Sequence, residues 1–166
     1  INIPIILYNV PSRTGLNIEP KTCFELSKVD NIIAIKEASG NISQVAQIAH
    51  LCGDNLYIYS GNDDQAIPIC SLGGIGVISV LSNIMPKYTH DMIFDFFENN
   101  IDKAIEKQLK AIPLINLLFS EVNPIPIKFA LNNCGFNFGI PRLPLIELSK
   151  DKKLLLKKYL EADYQI

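Results

Sequence analysis

The residues best suited to chemistry stand at the ends of apolar runs. Tyr8 lies near the end of PIILYNV (4–10), Arg13 follows in the next segment, and NIIAIK (31–36) ends on Lys36. A lysine among isoleucines has its charged form disfavoured, which lowers its pKa and makes the amine a nucleophile towards carbonyls. A phenol can relay protons in imine chemistry, and a guanidinium can bind a carboxylate. Together they suggest a carbonyl substrate that bears a carboxylate.

Each of these residues also has an ordinary explanation when it is taken alone. Lys36 could be a surface lysine at a strand end, Tyr8 a half-buried aromatic that caps the core, and Arg13 a solvated loop arginine. The glycine-rich stretch GGIGVIS (73–79) could cradle a phosphate, but it has neither the lysine of a P-loop nor a complete G-x-G-x-x-G. Tight packing of a helix against a strand is the favoured role of these glycines. SGND (60–63) is interpreted as a turn and helix cap.

The composition favours small-molecule or protein partners. The chain has 166 residues, is 48% apolar and has a net charge of −2. This near balance argues against nucleic acid or an anionic membrane as a partner. Four scattered cysteines without a CxxC pair predict structural thiols in a reducing compartment, and the two histidines lack metal-ligand spacing. We therefore expect no metal site and a cytoplasmic protein without signal peptide or membrane span.

Apolar, β-branched runs alternate with helical patterns in the first half of the chain. The runs at 4–10, 31–36, 55–61 and 76–82 are nearly continuous in hydrophobicity, which is typical of parallel strands. Pro20 is expected at the start of one helix and an Asn41/Gln44 capping box at the start of the next, which carries an apolar stripe (Ile42, Val45, Ile48, Leu51). In DDQAIPICSL (63–72) the aspartates are expected to cap the helix and Pro68 to delay or kink it.

The second half of the chain shows only helical spacing. Helices are predicted near 86–98, 101–119, 124–134 and 149–162, with Pro113 as an expected kink. Four strand–helix units make either a small open sheet or half of a (β/α)₈ barrel, since a full barrel needs roughly 250 residues. In both architectures chemistry gathers at the carboxyl ends of the strands. The residues to inspect are therefore Tyr8, Lys36, Gly61 and the stretch from Ile78 to Ser82.

Five motifs in order along the chain resemble those of the dihydrodipicolinate synthase family. They are YNVPSRTG (8–15), IIAIKEASGN (32–41), YSGND (59–63), GGIGVISV (73–80) and NPIPIKFAL (123–131). The resemblance implies an α/β fold: the second half of a (β/α)₈ TIM barrel (strands five to eight) over residues 1–98, and a helical C-terminal extension over 99–166. It also implies a pyruvate-dependent class I aldolase of lysine biosynthesis, usually a homotetramer, that needs no metal or organic cofactor.

The family's functional residues fall on matching positions of this chain. The resemblance makes Lys36 the Schiff-base lysine for pyruvate, Tyr8 the proton relay, and Arg13 the residue that meets the carboxylate of aspartate semialdehyde. Gly61 would line the site, and Ile78 would contact pyruvate through its backbone. Related sialic acid lyases and keto-deoxy-sugar aldolases share the lysine and tyrosine but generally lack the SRTG arginine, so Arg13 favours the synthase.

Two alternative functions remain open on the sequence. One is another pyruvate aldolase, such as N-acetylneuraminate lyase, and the other is a non-catalytic half-barrel that acts as an assembly module. The chain begins at Ile1 directly before an apolar run, as expected of a processed product or a piece of a longer chain. The resemblance places a threonine pair, a second tyrosine from a neighbouring subunit and the lysine feedback site in the first half of a full barrel. We therefore expect the 166-residue chain alone to be poorly active.

Overall fold

Four parallel strands form one sheet in the computed structural model, which describes residues 2–163. The spatial order of the strands is their order along the chain. The strands are β1 (Ile5–Asn9), β2 (Ile32–Glu37), β3 (Tyr57–Ser60) and β4 (Gly76–Val77). Tyr8 pairs with Lys36, Lys36 with Tyr59, and Tyr59 with Gly76, so one register row crosses the whole sheet. The predicted α/β class with a parallel sheet is confirmed.

Helices alternate with the strands in the first half of the chain and predominate in the second half. They are α1 (Pro11–Thr14), α2 (Pro20–Leu26), α3 (Ile42–Cys52), α4 (Ala66–Ser71), α5 (Pro86–Phe97), α6 (Ile101–Leu118), α7 (Ile125–Asn133) and α8 (Lys150–Asp163). Short 3-10 turns occupy Gly53–Asn55, Asp63–Gln65 and Leu81–Asn83. The four helices predicted in the second half are confirmed, and α6 continues through Pro113 as one helix.

The helix starts follow the predicted signals in part. Pro20 is the first residue of α2, and the Asn41 side chain accepts the backbone N–H of Gln44 at 3.2 Å. The second half of the predicted capping box is wrong, because the Gln44 side chain is buried and bonds Asn17 and Glu37 instead. Buried amide and carboxylate partners therefore replace the expected return bond to the start of α3.

The apolar stripe of α3 is shifted from its predicted position at one end. Val45 and Ile48 are fully buried, as expected, whereas Leu51 is 38% exposed and Cys52 is buried in its place. At 3.6 residues per turn, Cys52 lies four positions after Ile48 and shares its face of the helix. The stripe therefore continues at this i+4 position.

The predicted strand at 76–82 is wrong in length, because β4 has only two residues. The Asp63 carboxylate explains the early end: its Oδ2 accepts the backbone N–H groups of Val80 and Leu81 at 2.9 and 3.0 Å. These bonds turn the chain into the 3-10 turn at Leu81–Asn83. Asp63 thus holds the loop after β4 and does not cap its own helix, whose start is delayed to Ala66 ahead of Pro68, as predicted.

The two faces of the sheet are covered differently. Ile35 and Ile58 point into a core with α2 and α3 and are 0% and 3% exposed. On β1, Leu7 pairs with Ile35, and its neighbours Ile6 and Tyr8 point to the other face, where each is 47% exposed. Tyr57 lies on this second face as well and is 54% exposed. The sheet therefore has one helix-covered face and one open face within the described residues.

Two further apolar clusters lie outside the sheet. One joins α6, α7 and α8 around Leu114, Leu118 and Leu156. The other joins α4, α5 and α6 around Ala66, Met92 and Ala104. The predicted boundary at 98/99, between the half-barrel and the C-terminal extension, stays a prediction, because the second cluster includes residues on both sides of it. Residues 164–166 of the predicted extension lie outside the described part of the chain.

The cysteines are free thiols, as predicted. Burial raises the pKa of Cys23 to about 12 and that of Cys70 to about 11, so both stay protonated at neutral pH. Among residues 2–163, no three histidine, cysteine, aspartate or glutamate side chains are grouped so that they could hold a metal ion. No described helix has the length and apolar character needed to span a bilayer.

Candidate active site

Lys36 and Tyr8 are directly paired residues on neighbouring strands, on the open face of the sheet. The Lys36 Nζ lies 4.5 Å from the centroid of the Tyr8 ring. Parallel pairing in register aligns the carboxyl ends of β1 and β2, so both side chains emerge at the same edge. The structure therefore brings together the two residues that the sequence marked for imine chemistry.

The surroundings of Lys36 favour its neutral, nucleophilic form. Burial lowers the pKa of Lys36 below its ordinary value, and the positive charge of Arg13 lowers it further. The negative charge of Asp63 acts in the opposite direction and raises the pKa. The net shift is downward, so at a given pH a larger fraction of Lys36 is an amine than for a solvated lysine.

Gly61 stands directly beside the lysine stem, as the prediction that it lines the site requires. A Cβ at this position would lie 3.2 Å from Lys36 Cε, 3.1 Å from the Glu37 carbonyl oxygen and 2.6 Å from the Ala38 Cβ. The Gly61 N–H donates to the same Glu37 oxygen at 2.7 Å. The backbones approach so closely here that only glycine fits without a shift of its neighbours.

Ile78 follows β4 on the open face. Its N–H donates to the Ser60 carbonyl at 2.8 Å, which extends the pairing of β3 and β4 by one bond. Because the amide is engaged, a backbone contact to a substrate would use the carbonyl oxygen. The role of Ile78 stays a prediction.

The glycine-rich stretch before Ile78 serves packing, as favoured from the sequence. A Cβ on Gly74 would lie 2.6 Å from the Ile69 Cγ2 atom and 2.8 Å from the Ile69 carbonyl oxygen. The end of α4 thus lies directly against the start of β4, and only a residue without a side chain allows this approach.

Arg13 lies in the short helix α1, close enough to affect the charge of Lys36. Its Nη1 donates to the Asn123 carbonyl oxygen at 3.3 Å, so the loop before α7 reaches the loop after β1. The side chain is exposed and keeps further donors for a ligand. The guanidinium of Arg13 can therefore still bind a carboxylate, and the role of Arg13 in substrate binding stays a prediction.

Two polar residues near the site were missed by the sequence analysis. Asp63 is 1% exposed, and its Oδ1 has no hydrogen-bond partner among the described residues. The Asn123 Oδ1 is likewise buried and without a partner in that part of the chain. The DD pair signals a helix cap locally, so nothing in the sequence indicated that Asp63 would hold a loop seventeen residues away.

Comparisons with known proteins agree with this geometry. The model of the dihydrodipicolinate synthetase family matches residues 1–163. The 4-hydroxy-tetrahydrodipicolinate synthase of Caldicellulosiruptor saccharolyticus is 61% identical over 166 residues, which are all of this chain and 56% of that protein. The chain thus spans little more than half the length of this relative.

Solved structures show the same similarity. Dihydrodipicolinate synthase from Aquifex aeolicus superposes with a TM-score of 0.94 at 36% identity, over 97% of this chain and 55% of that one. The chloride-inhibited synthase from Acinetobacter baumannii, solved in complex with pyruvate, gives a TM-score of 0.92 at 35% identity over 97% and 55% of the two chains. The chain matches the C-terminal part of these proteins, and its sheet corresponds to the second half of their TIM barrel. The chain therefore belongs to the dihydrodipicolinate synthetase family.

Proposed function

We propose that the protein that carries this chain is a pyruvate-dependent class I aldolase that condenses pyruvate with L-aspartate 4-semialdehyde in lysine biosynthesis. The observation that supports it most is the pair of Lys36 and Tyr8, with Nζ 4.5 Å from the ring centroid and the pKa of the amine lowered by burial. A low amine pKa is what a Schiff-base lysine requires. The family and the pyruvate complex of the Acinetobacter baumannii relative agree with it.

The proposed reaction begins with imine formation. The Lys36 amine adds to the ketone carbon of pyruvate, and the resulting carbinolamine loses water to give an iminium ion. Loss of a proton from the methyl carbon leaves an enamine, for which the iminium nitrogen is the electron sink. Tyr8 relays the protons, and no metal or organic cofactor is required.

The second half of the reaction joins the two substrates. The enamine carbon attacks the aldehyde carbon of aspartate semialdehyde, and the new alkoxide takes a proton. The amino group of the acceptor then displaces Lys36 from the iminium carbon, which closes the ring and frees the enzyme. Arg13 binds the acceptor carboxylate through its planar guanidinium, while Gly61 and the Ile78 backbone line the site.

The substrate is tested by turnover with two compounds, aspartate semialdehyde together with pyruvate, and N-acetylneuraminate. We expect condensation with the semialdehyde and no cleavage of N-acetylneuraminate. Replacing Arg13 by alanine should raise the KM for the semialdehyde, whereas Arg142→Ala, at the other exposed arginine, should leave it unchanged. Cleavage of N-acetylneuraminate would favour the lyase.

The quaternary state and the half-barrel alternative need separate tests. We propose a cytoplasmic homotetramer for the protein that carries this chain, which sedimentation measurements would check. The alternative of a non-catalytic assembly module requires that Lys36 does not react with pyruvate, so trapping of a pyruvate adduct there excludes it. The expected poor activity of the 166-residue chain by itself would be contradicted by turnover equal to that of the full-length relatives.

A further inference from the structure

A buried cluster of amide and carboxylate side chains lies below the carboxyl edge of the sheet, on the face opposite Lys36. Asn9 and Glu37 are each 1% exposed, and Gln44 is 6% exposed. The Asn9 Nδ2 donates to Glu37 Oε2 at 2.9 Å and to Asn17 Oδ1 at 2.9 Å. The Gln44 Nε2 donates to the same two oxygens at 3.4 and 3.2 Å. The proposed reaction uses none of these side chains.

Two backbone amides determine the direction of these hydrogen bonds. The Ile18 N–H donates to Asn9 Oδ1 at 3.0 Å, so the NH₂ group of Asn9 must face Glu37. The Ser39 N–H donates to Glu37 Oε1 at 2.6 Å. Glu37 therefore meets donors only, which suits an ionised carboxylate. A glutamine here would turn an NH₂ group towards another donor, an arrangement that leaves buried groups unpaired.

The cluster also closes the base of the loop that carries Arg13. Asn9 is the last residue of β1, and its side chain binds both Asn17 and the backbone of Ile18 on the far side of the loop. Arg13 lies in the segment between Asn9 and Asn17, whose two ends these hydrogen bonds join. Lys36 depends less on the cluster, because the pairing of β2 with β1 and β3 holds its backbone on both sides.

We propose that Glu37 is a positioning residue that, through Asn9 and Asn17, sets the place of Arg13 and thereby serves binding of the carboxylate-bearing acceptor rather than formation of the pyruvate imine. This inference rests on the proposed function for the identity of the acceptor. In this proposal the two faces of the sheet have different roles at its carboxyl edge. Lys36 reacts on the open face, and Glu37 holds the loop that carries Arg13 from the helix-covered face.

The direction of the hydrogen bonds offers a rescue experiment. In Glu37→Gln combined with Asn9→Asp, the new aspartate accepts from the Ile18 N–H and from the glutamine NH₂, whose carbonyl accepts from Ser39. Rotation of the side-chain amides of Asn17 and Gln44 completes the new pattern. Only Glu19, which is exposed and accepts from Asn17 at 2.8 Å, loses its partner.

The test compares four variants of the protein that carries this chain: Glu37→Gln, the double variant, Asn17→Ala, and Glu25→Gln as control. Glu25 is an exposed glutamate of α2 paired with Lys28. In Glu37→Gln we expect the KM for aspartate semialdehyde to rise roughly ten- to hundredfold, because buried polar groups lose their partners. In Asn17→Ala, where the lost side chain is half-buried, we expect a rise of roughly fivefold. The rate of pyruvate trapping by borohydride should stay within about twofold of the unchanged protein. The double variant should recover most of the loss.

Hydrogen–deuterium exchange gives a readout that does not depend on activity. Exchange in residues 10–18 should accelerate in Glu37→Gln, return towards the original rate in the double variant, and stay unchanged in Glu25→Gln. Unchanged exchange in that segment, or a trapping rate that falls as much as acceptor binding does, would overturn the inference. Absence of a pyruvate adduct in the unchanged protein would instead refute the proposed function, and the exchange result would still decide the role of Glu37 in holding the loop.

Discussion

The two faces of the sheet differ in chemistry although neighbouring residues of the same strands build them. On the open face, Tyr8 and Lys36 stand side by side with partial exposure. One residue further along the same strands, Asn9 and Glu37 point to the helix-covered face and are almost completely buried. Alternation along a strand thus places the reactive groups on one face and, on the opposite face, the buried polar groups proposed to hold the Arg13 loop. Each prediction below tests this division.

The largest effect is expected from removing the Tyr8 hydroxyl. Tyr8→Phe keeps the ring over Lys36 but removes the proton relay, so turnover should fall about 10²- to 10⁴-fold, the usual contribution of a general acid–base group. Tyr57→Phe is the matched control, because this tyrosine lies on the same face and is 54% exposed. Steady-state kinetics of both variants would measure the difference. Equal rates for the two would contradict the role of Tyr8.

The second prediction concerns stability and compares the faces directly. Ile35→Ala should lower the free energy of unfolding by about 2–5 kcal/mol, since it leaves a cavity in a fully buried core. Ile6→Ala, on the open face at 47% exposure, should cost about 1 kcal/mol or less. Urea denaturation of the 166-residue chain would measure both. Equal losses would show that the open face is covered in solution.

Gly61→Ala tests the close approach beside the lysine stem. The added methyl group would collide with Ala38 and press on Lys36 Cε, and a displacement of the amine should slow imine formation about 10²-fold. Ala38→Gly removes the atom that lies 2.6 Å from the new Cβ, so the double variant should recover part of the rate. Borohydride trapping of pyruvate measures the rate, and no recovery would argue against a steric cause.

The smallest effect is a change in pH dependence. Arg13→Ala removes a charge that lowers the pKa of Lys36, so the pH profile of imine formation should move to higher pH. Asp63→Asn removes a charge that raises this pKa, so the profile should move to lower pH. Initial rates of trapping across pH would show the shifts, and a common direction for both variants would contradict the assignment.

The lowered pKa of Lys36 also predicts the sign of a stability change. The unfolded chain keeps the lysine proton up to the ordinary value of 10.5, whereas the folded chain releases it at lower pH. Stability should therefore rise with pH between the folded pKa and 10.5, because the unfolded state binds more protons over that window.

The sequence was sufficient to predict that four parallel strands exist and that Tyr8 and Lys36 lie near the ends of neighbouring strands. Continuous β-branched runs indicate parallel strands, and Tyr8 and Lys36 each stand near the end of such a run, where chemistry gathers in this class of fold. Gly61 was marked in the same way as the end of a run, the resemblance to the family gave it a place in the site, and the structure places it against the lysine stem. These features depend on local pattern and strand order, both of which a sequence contains.

The polar partners on the covered face could not be predicted in the same way. Asn17 and Gln44 bond across 27 positions, and Asp63 holds backbone groups 17 and 18 positions away. Gln44 and Asp63 also have a common local role at a helix start, and for both of them the local role was the one predicted, whereas Asn17 was assigned no role. Only the folded arrangement shows that a distant donor or acceptor replaces the local one. β4 is shorter than predicted for the same reason.

The most direct test of the account is to find which amine carries pyruvate. The protein that carries this chain would be treated with pyruvate and borohydride, digested, and mapped by mass spectrometry, with Lys36→Arg as control. We predict a reduced pyruvate adduct on Lys36 and none in the variant. An adduct on other lysines, or no adduct on a protein that otherwise folds and turns over its substrates, would contradict the assignment of Lys36 as the Schiff-base residue.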